Sequence, residues 1–149
     1  MSLLANRVPW WRVGMSIAGF PLELFSKLGA YCIGRQGKAY STNHQIVYTC
    51  HSLGKTLTVP KGFHFDGATC APNLRTDDGE ISHAFPVHDM CWMTAEWDDK
   101  TEMTFERANL NMAACLSADG FPPRIINWYY RGVSLPIMRK LWRKQHGHE

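Results

Sequence analysis

The stretch Pro86-Val87-His88-Asp89-Met90-Cys91-Trp92 carries the side chains best suited to chemistry. An imidazole beside a carboxylate can serve in three ways. The imidazole can take a proton from water as a general base, held in one tautomer by a polar partner. The carboxylate can hold calcium or another hard divalent cation that polarises a carbonyl or phosphoryl oxygen. Alternatively, the two can hydrogen-bond loop backbone and knit a sheet to a helix, the commonest use of buried polar groups. The candidate set is His88, Asp89, Asp66 and Asn109, with Asp89 and Asp66 as the carboxylates for a cation.

These residues need particular elements to bring them together. Ala84, Val87, His88, Cys91, Trp92 and Ala95 recur at i, i+3, i+4 spacing, so His88 belongs to the buried face of a helix that starts near Pro86. The turn Trp97-Asp98-Asp99-Lys100 follows, and Asp98 or Asp99 is placed to cap the next helix. That helix has the stripe Phe105, Ala108, Asn109, Met112, Cys115 and Leu116. Two antiparallel helices would set the stripes face to face, so His88 and Asn109 should meet. Asp89, one residue off the stripe, points to the sheet or to solvent. Pro122-Pro123 open a third helix with Ile125, Ile126, Tyr129, Tyr130 and Val133. A fourth carries Ile137, Met138, Leu141 and Trp142 inward, with Arg139, Lys140, Arg143 and Lys144 outward.

Upstream, Gln45 to His51 is rich in β-branched and aromatic residues, and Ser52-Leu53-Gly54-Lys55 makes a turn. Thr56 to Val59 is the return strand, stopped by Pro60, and Phe63 to Asp66 is a further short strand. Residues 67–80 form a loop. The fold class is α+β: a small antiparallel sheet over about residues 38–66, then a layer of three to four helices. The domain organisation is an apolar, aromatic arm or helix over 1–35 and one domain over 36–149.

Cys70, His83, His88 and Cys91 are zinc-type ligands, but no C-x-x-C pair accompanies them and the spacing is awkward for one helix. The five cysteines are an odd number at long intervals, which favours small buried thiols over a disulfide scaffold. His146 and His148 read as a polar tail. No apolar run reaches the roughly 20 residues of a membrane span, and Pro21, Glu23 and Lys27 interrupt the segment that most resembles a leader. The expected location is a reducing cytoplasm.

The net charge of +3 is unevenly spread: +6 over residues 1–76, −8 over 77–119 and +5 over 120–149. Such polarity can steer a charged partner or dock one part of the chain on another. Trp10, Trp11 and the basic C-terminal helix are the expected contacts with other proteins. An anionic membrane surface also suits the basic ends. Nucleic acid is not the expected partner, because Trp128, Tyr129, Tyr130 and Trp142 sit at core-like helical spacing.

Val59-Pro60-x-Gly62-Phe63-x-x-Asp66-Gly67-Ala68-Thr69, Pro72, His88-Asp89, Arg107-Ala108-Asn109 and Trp128-Tyr129-Tyr130-Arg131-Gly132-Val133 together resemble a phage and prophage family, the domain of unknown function 1353. The resemblance covers about residues 57–135. Phe65 stands where the family usually has Thr, Thr69 where it has Ser, and Asn109 where it has an acidic residue. The family's helix layout is similar to that of secretory phospholipases, which use a histidine base and an adjacent calcium-binding aspartate. The resemblance therefore implies a phage-encoded hydrolase acting on a lipid or cell-envelope substrate. His88 would be base, Asp89 and Asp66 metal-binding or orienting carboxylates, and Asn109 the orienter of the imidazole. The other expectation is a non-enzymatic virion or assembly component in which this cluster is structural.

Overall fold

The computed structural model describes residues 40–68 and 71–147. The expected arm over 1–35, Trp10, Trp11, Thr69, Cys70 and His148 lie outside them. Four short strands precede four helices: β1 Tyr40–Ser41, β2 Ile46–Cys50, β3 Lys55–Val59, β4 His64–Phe65, then α1 Ala84–Thr94, α2 Phe105–Ala118, α3 Pro123–Val133 and α4 Pro136–His146. The architecture is α+β.

The strands make two ribbons instead of one sheet: β2 pairs antiparallel with β3, and β1 with β4. Thr42 and Pro60 are the cause. Pro60 has no N–H to donate, so the ladder cannot run on past β3. Thr42 fills the break, its hydroxyl donating to Pro60 O (2.7 Å) and accepting from Phe63 N (3.0 Å). Its backbone also pairs with Phe63 and Gly62, and Gly62 supplies the left-handed turn at φ 79°. In the β2–β3 hairpin, Ile46, Cys50, Leu57 and Val59 face the core while Val47 and Thr49 face outward. This is the period-2 pattern of a half-buried ribbon.

Helix α1 begins two residues before the expected position. Ser82 Oγ accepts from Ala84 N (3.2 Å) and donates to Asp119 Oδ2 (2.5 Å), so one hydroxyl fixes the start of α1 against the end of antiparallel α2. Pro86 then falls within the first turn, where its missing N–H costs nothing.

Neither Asp98 nor Asp99 caps α2. The cap is Thr104, which accepts from Arg107 N (3.2 Å). The chain between the helices first doubles back, with Met103 N donating to Ala95 O (2.7 Å) and Trp97 N to Thr101 O (3.0 Å), which delays the helix. Asp98 instead grips β3, accepting from Thr58 N (2.9 Å) and Thr58 Oγ1 (2.7 Å). Asp99 pairs with Lys55 of the same strand. The acidic turn is thus the clasp between helical hairpin and ribbon.

The core lies between the β2–β3 ribbon and the α1–α2 pair. Leu57, Val59, Val87, Cys91, Met103, Ala108, Met112 and Leu116 are nearly or wholly inaccessible. Asn111 is buried among them and joins three elements. Its Oδ1 accepts from Tyr48 of β2 (3.2 Å), and its Nδ2 approaches Cys91 Sγ of α1 (3.7 Å) and Met103 Sδ (3.5 Å). Cys50, Cys91 and Cys115 are free buried thiols, and burial pushes those of Cys91 and Cys115 up to about 12.

Tyr129 of α3 donates its hydroxyl to Pro72 O, anchoring the loop before α1. On α4, Trp142 packs edge-on to Trp92 (5.2 Å) and Phe105 (5.9 Å). Ile137, expected inward, is 50% exposed. The inward face is centred on Met138 and Trp142, and Ile137 falls on its flank. His146 is no polar tail: its ring lies 4.6 Å from that of Trp142, and its Nε2 donates to Trp92 O (2.8 Å). No described helix is long and apolar enough to cross a membrane.

Candidate functional site

His88 and Asn109 meet across the α1–α2 interface, with His88 Nε2 2.9 Å from Asn109 Oδ1. Helical periodicity alone puts them there, each on the buried stripe of its own helix. His88 is 8% exposed and Asn109 1%.

The Asn109 amide determines which ring nitrogen carries the proton. Its Nδ2 donates to Val133 O (3.3 Å) and Ser134 Oγ (3.2 Å), both at the α3–α4 turn. The amide oxygen is therefore the atom turned to His88, and oxygen only accepts. Nε2 must be the protonated nitrogen, so in the neutral ring the lone pair resides on Nδ1. Burial lowers the His88 pKa from its ordinary value, while the Asn109 hydrogen bond and the charge of Asp66 act to raise it. The net direction is downward, and the ring is neutral at pH 7.

Asp89 turns to the ribbon side, its Oδ2 accepting from Asp66 N (3.2 Å). This bond ties the end of β4 to α1 and brings the Asp66 charge within electrostatic reach of His88. All four expected residues are thus assembled: His88 with Asn109 by a side-chain bond, and Asp89 with Asp66 through its backbone. Beyond Asp66 the chain turns sharply at Gly67, φ 74°, where a Cβ would meet Asn73 Oδ1 at 2.4 Å. Asn73 spans the turn, accepting from Ala68 N (2.8 Å) and donating to Tyr40 OH (2.9 Å).

The described residues do not by themselves build a cation site. Among them no group of three or more His, Cys, Asp or Glu side chains is arranged for a metal. Asp66 and Asp89 are two carboxylates, and one Asp89 oxygen already accepts a backbone N–H. The zinc grouping does not form among them either. His83 lies edge-on to His44 at 5.3 Å, His88 binds Asn109, and Cys91 faces Asn111.

One residue behind the imidazole escapes sequence reasoning. Ser134 holds Asn109 from the turn between α3 and α4, and a lone serine in such a turn gives no signal of its distant partner. Trp92, one turn after His88, sets its ring 6.3 Å from the imidazole. Its Nε1 is the buried side-chain polar atom left without a hydrogen-bond partner among the described residues.

The arrangement can do two things. A neutral imidazole with Nε2–H fixed and Nδ1 basic can accept a proton from water. The same bonds also lock α1, α2, α3 and β4 to one another. No family model matches the chain, and no curated protein or solved structure matches it either.

Proposed function

We propose that the chain is a phage-encoded hydrolase-type domain in which His88 is the general base, acting on an ester of a lipid or cell-envelope substrate. The observation that carries this reading is the His88–Asn109 bond, which commits Nε2 as a donor and leaves Nδ1 to receive a proton. Nδ1 takes a proton from water as the water oxygen adds to the acyl carbon. The protonated ring then returns that proton to the departing alcohol oxygen, so ester and water become acid and alcohol. Asn109 is neutral and orients the ring without stabilising its cation, which leaves the nearby Asp66 as the favourable charge. No step is routed through a metal. The phage origin and the substrate class rest on the resemblance of the motifs over 57–135.

The test is H88Q. Glutamine can still donate to Asn109 Oδ1 but is no base. Hydrolysis of a dispersed short-chain phospholipid, followed in a pH-stat, should fall by about 10²–10⁴, with the melting temperature little changed. Full activity in H88Q would overturn the assignment.

A second reading, a non-enzymatic virion or assembly component, is favoured by a specific observation. Every polar atom of the Asn109 side chain is committed to other elements, and Asp89 is engaged by backbone. On that reading the wild-type chain hydrolyses none of these esters, and H88L loses stability because Asn109 Oδ1 is left unpaired.

A further inference from the structure

Residues 120–147 contain six Lys and Arg and no Asp or Glu. On α4 the inward face is taken by Met138, Trp142 and His146. Lys140, Arg143 and Lys144 stand exposed on the other side, at i, i+3 and i+4, and so share one face. The neighbouring Arg139 is already used, paired with Glu106 and lying 5.2 Å over the Phe105 ring. The ion pairs among the described residues are Lys55–Asp99, Lys100–Glu96 and Arg139–Glu106, and none involves the other three cations. Like charges at helical neighbour positions repel, so an anionic partner relieves a cost that the folded chain carries.

Two observations select a lipid surface over a nucleic acid. Trp142, the aromatic on α4 itself, is buried in the core and offers no stacking face to bases, while the half-buried Trp128 and Tyr130 lie on α3, off the helix that carries these cations. Ile137 is exposed three residues before Lys140 and puts an apolar group beside the cations. That pairing suits the boundary between headgroups and acyl chains.

We propose that the Lys140, Arg143 and Lys144 face of α4 docks the domain on an anionic phospholipid surface. The turn that leads into α4 holds Asn109 and, through it, His88. The docking helix is therefore built onto the candidate site. This deepens the lipid-ester reading, but its test is independent of hydrolysis.

The full chain is sedimented with vesicles of equal parts phosphatidylcholine and phosphatidylglycerol, and with vesicles of phosphatidylcholine alone. Binding to the mixed vesicles only, weakened by added salt, is the expected result. Each basic residue contributes roughly fivefold in affinity at such a surface, so the K140Q/R143Q/K144Q variant should bind about a hundredfold more weakly. K140R/K144R should bind as wild type does, and its melting temperature and that of the glutamine variant check the fold. Vesicle binding by H88Q equal to wild type supports docking whether or not any ester is hydrolysed. Equal binding to both vesicle types, undiminished binding by the glutamine variant, or stronger binding to nucleic acid than to the mixed vesicles would overturn the proposal.

Discussion

A single amide decides what His88 can do. Had Asn109 presented its nitrogen to the ring, Nε2 would be the acceptor and Nδ1 the protonated atom, useless as a base on that side. Replacing Asn109 by aspartate puts a negative charge on the Nε2 proton. The His88 pKa should then rise above its wild-type value, which an NMR titration of the ring will show; an unchanged titration would deny the contact its importance. Val133 O would face a carboxylate oxygen in this variant, so a stability loss of about 1–2 kcal/mol should accompany the gain. Burial of His88 also sets a pH dependence. A histidine whose folded pKa lies below its unfolded value of about 6.5 leaves the unfolded state binding more protons between those two values. Its contribution is therefore present above pH 6.5 and is lost as pH falls through the folded pKa. H88Q should flatten that part of a urea-midpoint curve against pH, and an unaltered slope would place the titrating group elsewhere.

At the level of elements, the helical hairpin and the ribbon are held together by polar clasps at their margins as well as by the core. Asp98 spans forty residues of chain to reach Thr58. D98A should lose about 1–2 kcal/mol in urea unfolding. A loss no larger than that of an ordinary exposed aspartate would show that the clasp is idle. What could be read in advance follows from range. The β2–β3 hairpin, the four helices and the His88–Asn109 meeting depend on local periodicity, which the chain displays openly. The split into two ribbons depends on one hydroxyl, Thr42, bonding near Pro60. The grip of Asp98 on β3, the hold of Ser134 on Asn109 and the docking of His146 on Trp92 are long-range pairings of ordinary polar residues. Nothing in their sequence neighbourhoods marks them.

At the scale of the molecule, the segregation of charge has an internal use. The acidic middle of the chain is where Asp98, Asp99 and Glu106 reach out, and their partners lie in the flanking segments: Thr58 and Lys55 on β3, Arg139 on α4. Part of the −8 is thus spent docking one region on another, and less of it remains as an open acidic site than the sequence suggests. The basic end keeps Lys140, Arg143 and Lys144 exposed on α4, the face proposed above to dock on an anionic lipid surface.

Whether His88 can serve as a base depends on the protonation state of its ring. Long-range proton–nitrogen NMR on the ¹⁵N-histidine protein at pH 7 reports it directly, with H88Q identifying the resonance. The expected result is a neutral ring protonated on Nε2, with its lone pair on Nδ1. A ring protonated on Nδ1, or an imidazolium at that pH, would contradict it.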